Sequence, residues 1–479
     1  MLDMKILLST FLLLICLGSA GTAQQQGQNS YSLKRSIEIA QANNLQVKQS
    51  EFQLLSAGVA LRQAKSNVFP DISANINHGL NQGRSIDPFT NGYVNENVSY
   101  ANYGLNGGVM LFSGLILRNQ IKQSSYEYQA NIMEQQQAKD NLTLRVIITY
   151  FQILNNEDQV NQALLQNEVT RKQIDRLQIL DKEGAIAPAQ LSDLKGQLAN
   201  DELSLINSRN SLNSSKIALA ELMNVAYTRD FNVDRMQGDE FSKKLTDSPE
   251  DIYTLALEQL ASIKGAALRR KSAVQGIKVA KGLRSPQLSL NSNLFSNYSS
   301  AATGSKLIST QNLPTGDYVE LSGTKLPVVA PQDVFERSKI AYSNQLRNNY
   351  SSSYNLSLRI PIFNSDKTRN RIALAKIELN NAELVEETTK LQLKQAADLA
   401  WINKTAADER LQALTRQVVA FKESFESAEI RFNAGVGTAV DYTIAKNNLD
   451  RARINLINAK YDLLLRAKIL DYYKGELSL

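Results

Sequence analysis

The residues whose side chains most often carry chemistry are sparse in this sequence and form no recognisable catalytic pattern. There is one histidine, His78, and one cysteine, Cys16. His78 alternates in step with Ile72 and Leu80, and since a metal site needs several ligands, we expect no metal centre. Adjacent acids such as Glu386 and its neighbour lie among basic residues and indicate solvated helix faces. Without a phosphate-binding loop or a nucleophile motif, the sequence predicts a protein that is not an enzyme and needs no cofactor.

One acidic residue is distinguished by its position. Asp441 follows shortly after a turn that contains Gly435-Val436-Gly437. An acid in the first turn of a helix is favoured by the helix dipole, so Asp441 by itself indicates only where a helix begins. Whether it does more depends on the elements around the turn.

Those elements are two long helices with apolar seams. Apolar residues recur at steps of three and four from Leu411 to Phe432, and small and large apolar residues alternate from Ala445 to Leu463. Both patterns are heptad repeats. A second stripe lies on another side of the last helix: Ile454, Ile457, Tyr461 and Leu464. A helix with two seams needs two neighbours, which favours a ring or sheet of helices over a simple spacer coiled coil.

Composition agrees with long amphipathic elements. The chain has 479 residues, of which 43% are hydrophobic, and its net charge of +6 comes from 53 basic and 47 acidic residues. These charges are scattered, so no basic surface for nucleic acid is predicted. Residues 1–23 predict a secretory signal peptide, with an apolar run from Ile6 to Leu17 and cleavage expected after Ala23. Cys16 lies within it, so the mature chain would have no cysteine.

Beyond residue 23 no apolar run approaches the roughly 18 residues of a membrane-spanning helix, so an exported chain that crosses a membrane would do so with strands. Four segments, about 70–82, 98–112, 286–295 and 350–363, alternate apolar with uncharged polar residues. This alternation is typical of the lipid-facing and lumen-facing sides of a transmembrane barrel, although soluble sheets also alternate.

The two halves of the chain indicate an internal duplication. Landmarks recur in the same order 216 or 251 residues later: Pro70 with Pro286, Phe112 with Phe363, and Gly184 with Gly435. The spacing between the last two landmarks is 72 residues in both halves. Because one inserted residue turns everything downstream by about 100°, equal spacing indicates continuous packed helices.

Each repeat therefore reads helix, strand, loop, strand, long helix, turn, helix. We place repeat 1 at 24–226, an equatorial linker at 227–250 and repeat 2 at 251–479. The long helices, about 70 residues, would reach about 105 Å. Shorter helices at about 33–67 and 188–225 would stack end to end beside the first of them. The loop 296–349 is polar, and its part 333–347 is compatible with a helix.

In their order and spacing these features resemble the TolC-type outer membrane efflux proteins. The resemblance rests on the duplicated strand-loop-strand units, on the hairpin turns at Gly184 and at Arg431-Phe432-Asn433-Ala434-Gly435, and on Ile360-Pro361-Ile362-Phe363-Asn364 closing the fourth strand. It covers essentially the whole mature chain. It implies an α+β membrane protein, in which a trimeric 12-stranded transmembrane β-barrel, four strands per protomer, continues into a long periplasmic α-helical barrel. Four strands cannot close a barrel alone, since membrane barrels have at least about eight.

The resemblance also implies functional regions at the hairpin turns. The adaptor-docking turns would be Gly184-Ala185-Ile186 and Gly435-Val436-Gly437, although glycine capping of helix ends explains the glycines equally well. Asp441 aligns with an aspartate of the family's periplasmic constriction. The family's second constriction acid falls on Ile444, and the corresponding position of the first hairpin is Gln190, so the acidic ring would be weaker or sealed partly by apolar contact.

The implied function is an exit duct in the outer membrane of a Gram-negative bacterium, in a tripartite efflux or type I secretion system. It would passively conduct substrates from an inner-membrane pump of RND, ABC or MFS type, joined by a periplasmic adaptor (membrane fusion protein). The implied partners are two further copies of the chain, the adaptor, the pump and outer membrane lipid, with no nucleic acid. The alternative is a secreted or surface-attached structural coiled-coil protein without a channel, which the alternating strands and equal-length repeats disfavour.

Overall fold

A computed structural model describes residues 30–86, 91–235 and 248–475. The predicted signal peptide and part of the predicted linker lie outside these residues. The helices are α1 (Leu33–Asn43), α2 (Leu45–Ser66), α3 (Ile116–Lys182), α4 (Pro188–Met223), α5 (Pro249–Gln259), α6 (Ala261–Gly282), α7 (Tyr342–Asn348), α8 (Lys367–Asn433) and α9 (Ala439–Lys474). The strands are β1 (Ser30–Tyr31), β2 (Asp71–Asn81), β3 (Arg84–Ile86), β4 (Tyr93–Asn95), β5 (Val98–Phe112), β6 (Asn232–Val233), β7 (Gln287–Ser299), β8 (Thr303–Leu321), β9 (Thr324–Lys339) and β10 (Ser351–Arg359).

The long helices of the two hairpins have equal lengths. Helices α3 and α8 each have 67 residues, and their partners α4 and α9 each have 36. No helix in the described ranges has an apolar stretch long enough to cross a membrane.

One compact unit comprises the described residues within the ranges 1–55, 129–267 and 384–479. Its main apolar core packs α1 and the end of α4 against the middle of α3: Ile37, Val146, Ile147, Tyr150, Leu219 and Phe231. The short strands β1 and β6 pair in parallel beside this core. The buried Tyr150 hydroxyl donates to the carbonyl oxygens of Tyr31 at 3.0 Å and Asp234 at 2.6 Å, and so ties both strands to α3.

The end of α4 meets the junction between α1 and α2. The Asn44 side-chain amide donates to the Leu222 carbonyl at 3.1 Å, and the Asn224 amide donates to the Asn43 carbonyl at 3.3 Å. Asn224 has a φ of +50°, the left-handed cap conformation that asparagine tolerates, so α4 ends here. These bonds join the shorter helices end to end.

The second unit comprises the described residues within the ranges 56–128 and 268–383 and contains a four-stranded antiparallel sheet in the order β10-β7-β5-β2. Its register aligns like residues across the strands. Leu105 pairs with Leu294 in one row, and Asn106 pairs with Asn293 in the next. Since successive side chains of a strand point to opposite faces, one face is mainly apolar and the other is rich in asparagine and serine.

These strands occupy the four segments with alternating residues but differ in their ends. Strand β7 continues to Ser299, beyond the expected 295, while β10 ends at Arg359 rather than at 363. Pro361 explains the early end of β10, because proline has no N–H to donate to a strand ladder.

The expectation of a helix over 333–347 is wrong for its first half. Strand β9 continues to Lys339 and pairs with β8 as an antiparallel ribbon, with Leu307 opposite Phe335. Helix α7 covers only Tyr342–Asn348. The buried Gln345 side chain fixes this helix by accepting from the Ser299 N–H and donating to the Ser299 and Ile340 carbonyls at 2.9–3.0 Å. Cross-strand pairing therefore prevails over the helical tendency of the segment.

Candidate functional site at the hairpin turns

The first turn, between α3 and α4, is built around Gly184. Its φ of +69° is left-handed, a region that residues with a Cβ rarely adopt. The Ala185 N–H donates to the Leu180 carbonyl at 2.8 Å, which satisfies a carbonyl at the end of α3. Pro188 then begins α4, where its missing N–H costs nothing.

The second turn, between α8 and α9, uses two glycines for different reasons. Gly435 has a φ of +74° with open space around it. At Gly437 a Cβ would lie 3.1 Å from the Phe432 backbone nitrogen, so this position requires a close backbone approach. The N–H groups of Val436 and Gly437 both donate to the Arg431 carbonyl, at 3.1 and 3.0 Å. Backbone geometry thus explains both glycines without any partner protein.

The two hairpins pack together next to their turns, in what we call the tip cluster. Its buried side chains come from α3, α4, α8 and α9: Ile174, Leu177, Leu191, Leu194, Phe432, Ala439 and Tyr442. The rings of Phe432 and Tyr442 are stacked, with centroids 5.1 Å apart. The Tyr442 ring is fully buried, and burial is the main cause that raises the pKa of its hydroxyl, with Glu429 adding to the effect.

A polar contact reinforces the tip cluster. Arg176 Nη2 of α3 donates to the carbonyl of Asn433, the last residue of α8, at 2.7 Å. A cation at a helix C-terminus satisfies a free carbonyl and interacts favourably with the helix dipole. The first hairpin therefore caps the long helix of the second.

The predicted docking residues differ in accessibility. Val436 is 73% exposed, and Gly184, Ala185 and Gly435 are also exposed, whereas Gly437 is half-buried. Ile186, in contrast, is half-buried and packs against the tip cluster. The two turns thus present unequal apolar surfaces.

The predicted constriction residues occupy corresponding places on their helices. Asp441 is the third residue of α9 and Gln190 the third of α4. The Asp441 N–H donates to Thr438 Oγ1 at 3.1 Å, and the Thr438 hydroxyl donates to Asp441 Oδ2 at 2.8 Å. Asp441 is exposed, and Ile444, one turn further along α9, is 55% exposed. The helix-start role of Asp441 is therefore present, and its side chain also remains accessible.

A buried charge cluster near the tip was not predicted from the sequence. Lys446 Nζ of α9 lies 3.0 Å from Asp201 Oδ2 of α4 and 2.8 Å from Asp450 Oδ2 of its own helix. The Thr170 hydroxyl of α3 donates to Asp201 at 2.5 Å. Burial raises the pKa of the Asp450 carboxyl, and Lys446 opposes that shift. The signal in the sequence is a lysine at an inward position of the heptad pattern, between Tyr442 and Leu449.

Comparison with known proteins gives consistent matches. The family model for outer membrane efflux proteins matches residues 36–225 and 252–475. The Outer membrane protein TolC of Vibrio cholerae is 22% identical over 444 residues, covering 90% of each chain. Among solved structures, VceC of Vibrio cholerae has a TM-score of 0.74 at 15% identity, covering 92% of this chain and 96% of VceC. The CmeC channel of Campylobacter jejuni has a TM-score of 0.74 at 16% identity, covering 93% and 86%.

The structural matches show the fold, and the family model covers well over half of the chain. The predicted family, outer membrane location, channel function and classes of partner are confirmed, and the structural coiled-coil alternative is not supported. The chain belongs to the outer membrane efflux protein family, whose members are channels rather than enzymes and work as homotrimers with a periplasmic adaptor and an inner-membrane pump.

Proposed function

We propose that three copies of this chain form one passive exit duct, in which β2, β5, β7 and β10 of each copy contribute to a twelve-stranded barrel. The observation that carries this proposal is the amphipathic four-stranded sheet, whose outer strands are β10 and β2. An unpaired strand edge in lipid leaves backbone N–H and carbonyl groups unsatisfied. Pairing β10 of one copy with β2 of the next removes every such edge.

The polar face of the sheet is suited to an aqueous lumen. Rows of amide and hydroxyl side chains cross the strands, as in Ser73, Asn106, Asn293 and Ser353. Side chains of this kind can hydrogen-bond water and many solutes without selecting a charge. The apolar face, with Leu105 and Leu294, would contact the acyl chains. The lumen therefore imposes little selection, and the proposed role is conduction without a catalytic step.

The helical part would continue the duct as a barrel of hairpins, built from two repeats. The support is the equal length of α3 and α8 and of α4 and α9. Six such hairpins from three copies could alternate around one axis, each packing on two neighbours through its two seams. Asp441 would then form a ring of three carboxylates at the constriction, with Ile444 beside it and Gln190 contributed by the first hairpins.

Membrane fractionation and gel electrophoresis test the barrel. We expect the protein in the outer membrane fraction, as an oligomer in unheated SDS samples that converts on boiling to a monomer somewhat smaller than the 53.2 kDa of the full chain, because the predicted signal peptide is removed. Reconstitution of the unheated species into planar bilayers should give conductance. A soluble species, or a membrane-bound monomer without conductance, would contradict the proposal.

The docking role of the turns needs a separate test. We propose that Val436 contacts the adaptor, because it is the most exposed large apolar side chain of either turn. Val436→Asp should leave the trimer intact and reduce adaptor cross-linking, while Val436→Ala, which stays apolar, should reduce it less. Ile186→Asp is unsuitable as a docking test, because it would bury a charge against the tip cluster. Unchanged cross-linking of Val436→Asp would remove this turn from the docking surface.

A further inference from the structure

The Asp201–Lys446–Asp450 cluster lies between the two hairpins and is almost completely buried. Side-chain exposure is 3% for Lys446, 6% for Asp201 and 15% for Asp450. The remaining acceptor positions are also used: Gln197 Nε2 donates to Asp201 Oδ1 at 2.8 Å, and Gln162 Nε2 reaches Asp450 Oδ1 at 3.5 Å. The cluster therefore involves α3, α4 and α9, and it joins the first hairpin to the second.

Such a cluster contributes less to stability than its contacts suggest. Removing charges from water costs free energy that their mutual attraction only partly returns, and apolar residues of similar size often stabilise as much or more. The best attested role of a buried polar group between heptad helices is to specify register, because any shifted packing leaves the group without a partner.

The sequence around Asp201 fits a register role. One helical turn from Asp201 on the same side of α4 stand Gln197 toward the tip and Leu205 away from it. Neither can neutralise an ammonium group. If α9 moved by one turn, about 5.4 Å, along α4, Lys446 would be buried without a carboxylate from the first hairpin. Apolar seams alone tolerate such a shift better, because leucine and alanine recur along both helices.

The cluster also distinguishes the interface between α4 and α9 from other helix interfaces with a similar apolar pattern. At the positions 251 residues before Lys446 and Asp450 the chain has Lys195 and Ala199, and 251 residues after Asp201 it has Ala452. The same trio is therefore not encoded at the corresponding places of the other repeat. The buried charges therefore favour one packing of α9 against α4 over other packings that would bury similar apolar side chains.

We propose that Lys446, held by Asp201 and Asp450, is a positioning residue that sets the axial register of the second hairpin against the first. This inference rests on the proposed constriction, because its functional consequence is the level of Asp441 within the duct. Asp441 precedes Lys446 by five residues on α9, about 7.5 Å along the axis. A shift of one turn would move Asp441 by about 5.4 Å along the axis relative to Gln190.

Disulfide formation in the purified trimer tests the register directly. The only cysteine, Cys16, lies in the predicted signal peptide, so engineered pairs have no competitor in a processed chain. Q173C with N433C reports the native register, because Gln173 Nε2 lies 3.4 Å from Asn433 Oδ1. V169C with N433C, one turn away on α3, reports a shifted register. Neither pair includes a member of the cluster.

The informative variant is K446M/D201L/D450L, which replaces the trio by apolar residues. We expect a stable trimer in which the shifted cross-link rises about tenfold or more relative to the native one, as loss of a charge-assisted hydrogen bond predicts. Single-channel records should show several conductance levels in place of one. The swap K446D/D201K restores opposite charges at the same level and should restore the native cross-link, whereas D201K alone should not.

A matched control is K422M/E426L, which removes an exposed ion pair of 3.7 Å on α8 and should change neither register nor stability. Either of two results overturns the proposal. In the first, the apolar triple variant keeps only the native cross-link. In the second, the apolar variant loses the trimer and the charge swap fails to restore the native cross-link. Cross-linking does not depend on conduction, so a failure of the channel proposal would appear as missing conductance in the unmodified protein with its register intact.

Discussion

Asp441 has two proposed contributions, as a helix-start residue and as a constriction charge, and two substitutions separate them. Asp441→Asn removes the charge but keeps a side-chain oxygen that can accept from the Thr438 hydroxyl. In the unmodified protein, Thr438 Oγ1 lies 2.8 Å from Asp441 Oδ2. Thr438→Val removes the side-chain cap, a bond of 3.1 Å from the Asp441 N–H, but keeps the charge. The cap and the charge can therefore be lost one at a time.

The expected magnitudes differ between the two variants. Losing an acid from the first helical turn costs about 0.3–1 kcal/mol, because Asp441 is exposed and the helix dipole is screened there. Losing the cap costs about 0.5–2 kcal/mol. Around a threefold axis, carboxylates about 8 Å apart would repel by about 2 kcal/mol per pair at an effective dielectric of about 20. The same field attracts cations, so the charge should also affect conduction.

Planar-bilayer recordings and thermal unfolding of the purified trimer provide the assay. Asp441→Asn should reduce cation selectivity and block by multivalent cations without lowering the unfolding temperature, because relief of the mutual repulsion offsets the lost helix-dipole interaction. Thr438→Val should lower the unfolding temperature and keep the selectivity. If Asp441→Asn retains the original selectivity and block, the residue only starts a helix and the constriction lies elsewhere. Equal loss of selectivity in both variants would also refute the reasoning.

Three further perturbations test other parts of the structure. Gly435→Ala should destabilise the second turn by about 1–2 kcal/mol because of its φ of +74°, whereas Gly196→Ala, within α4 with open space around it, should stabilise by about 0.5–1 kcal/mol; chemical denaturation compares the two. One residue inserted near Gln412 should turn the downstream seam by about 100° and weaken the trimer in unheated gels, whereas seven residues inserted in both hairpins should be tolerated better. Burial raises the pKa of the Asp450 carboxyl in the folded state, so its protonation stabilises the fold most below the ordinary carboxyl value, and this contribution is lost as pH rises through the raised pKa. Protease resistance of the tip should therefore increase as pH falls through the raised pKa toward the ordinary value, and should increase less in Asp450→Asn.

The helices and strands with strong apolar periodicity could be predicted, because the elements that pack against them show the same periodicity. The heptad seams near the turns, with Phe425 and Phe432, place their residues in or against the tip cluster. Strand alternation likewise indicated which residues share a face, as the pairing of Leu105 with Leu294 shows. In both cases the signal lies within about ten residues, the range over which a local pattern determines which side is buried.

The sequence was a poor guide where structure depends on distant pairing. The ribbon of β8 and β9 has largely exposed faces, so burial did not impose a clear alternation, and three prolines weakened the strand signal further. The ribbon is recognisable only once Leu307 is known to face Phe335. Similarly, Lys446 and its acceptor Asp201 are 245 residues apart. An unpartnered lysine in a seam indicates that a partner exists but does not identify it.

The two turns also show why corresponding positions in a duplicated sequence need not have equal roles. Gly184 and Gly435 adopt the same left-handed conformation, which backbone geometry alone requires. The residues that follow them diverge, since Ile186 packs inward against the tip cluster while Val436 is 73% exposed. An apolar partner surface gains binding energy only from side chains that remain exposed in the free protein. Contact with an adaptor should therefore depend more on the second hairpin than on the first, and the glycines should matter for the shape of both turns.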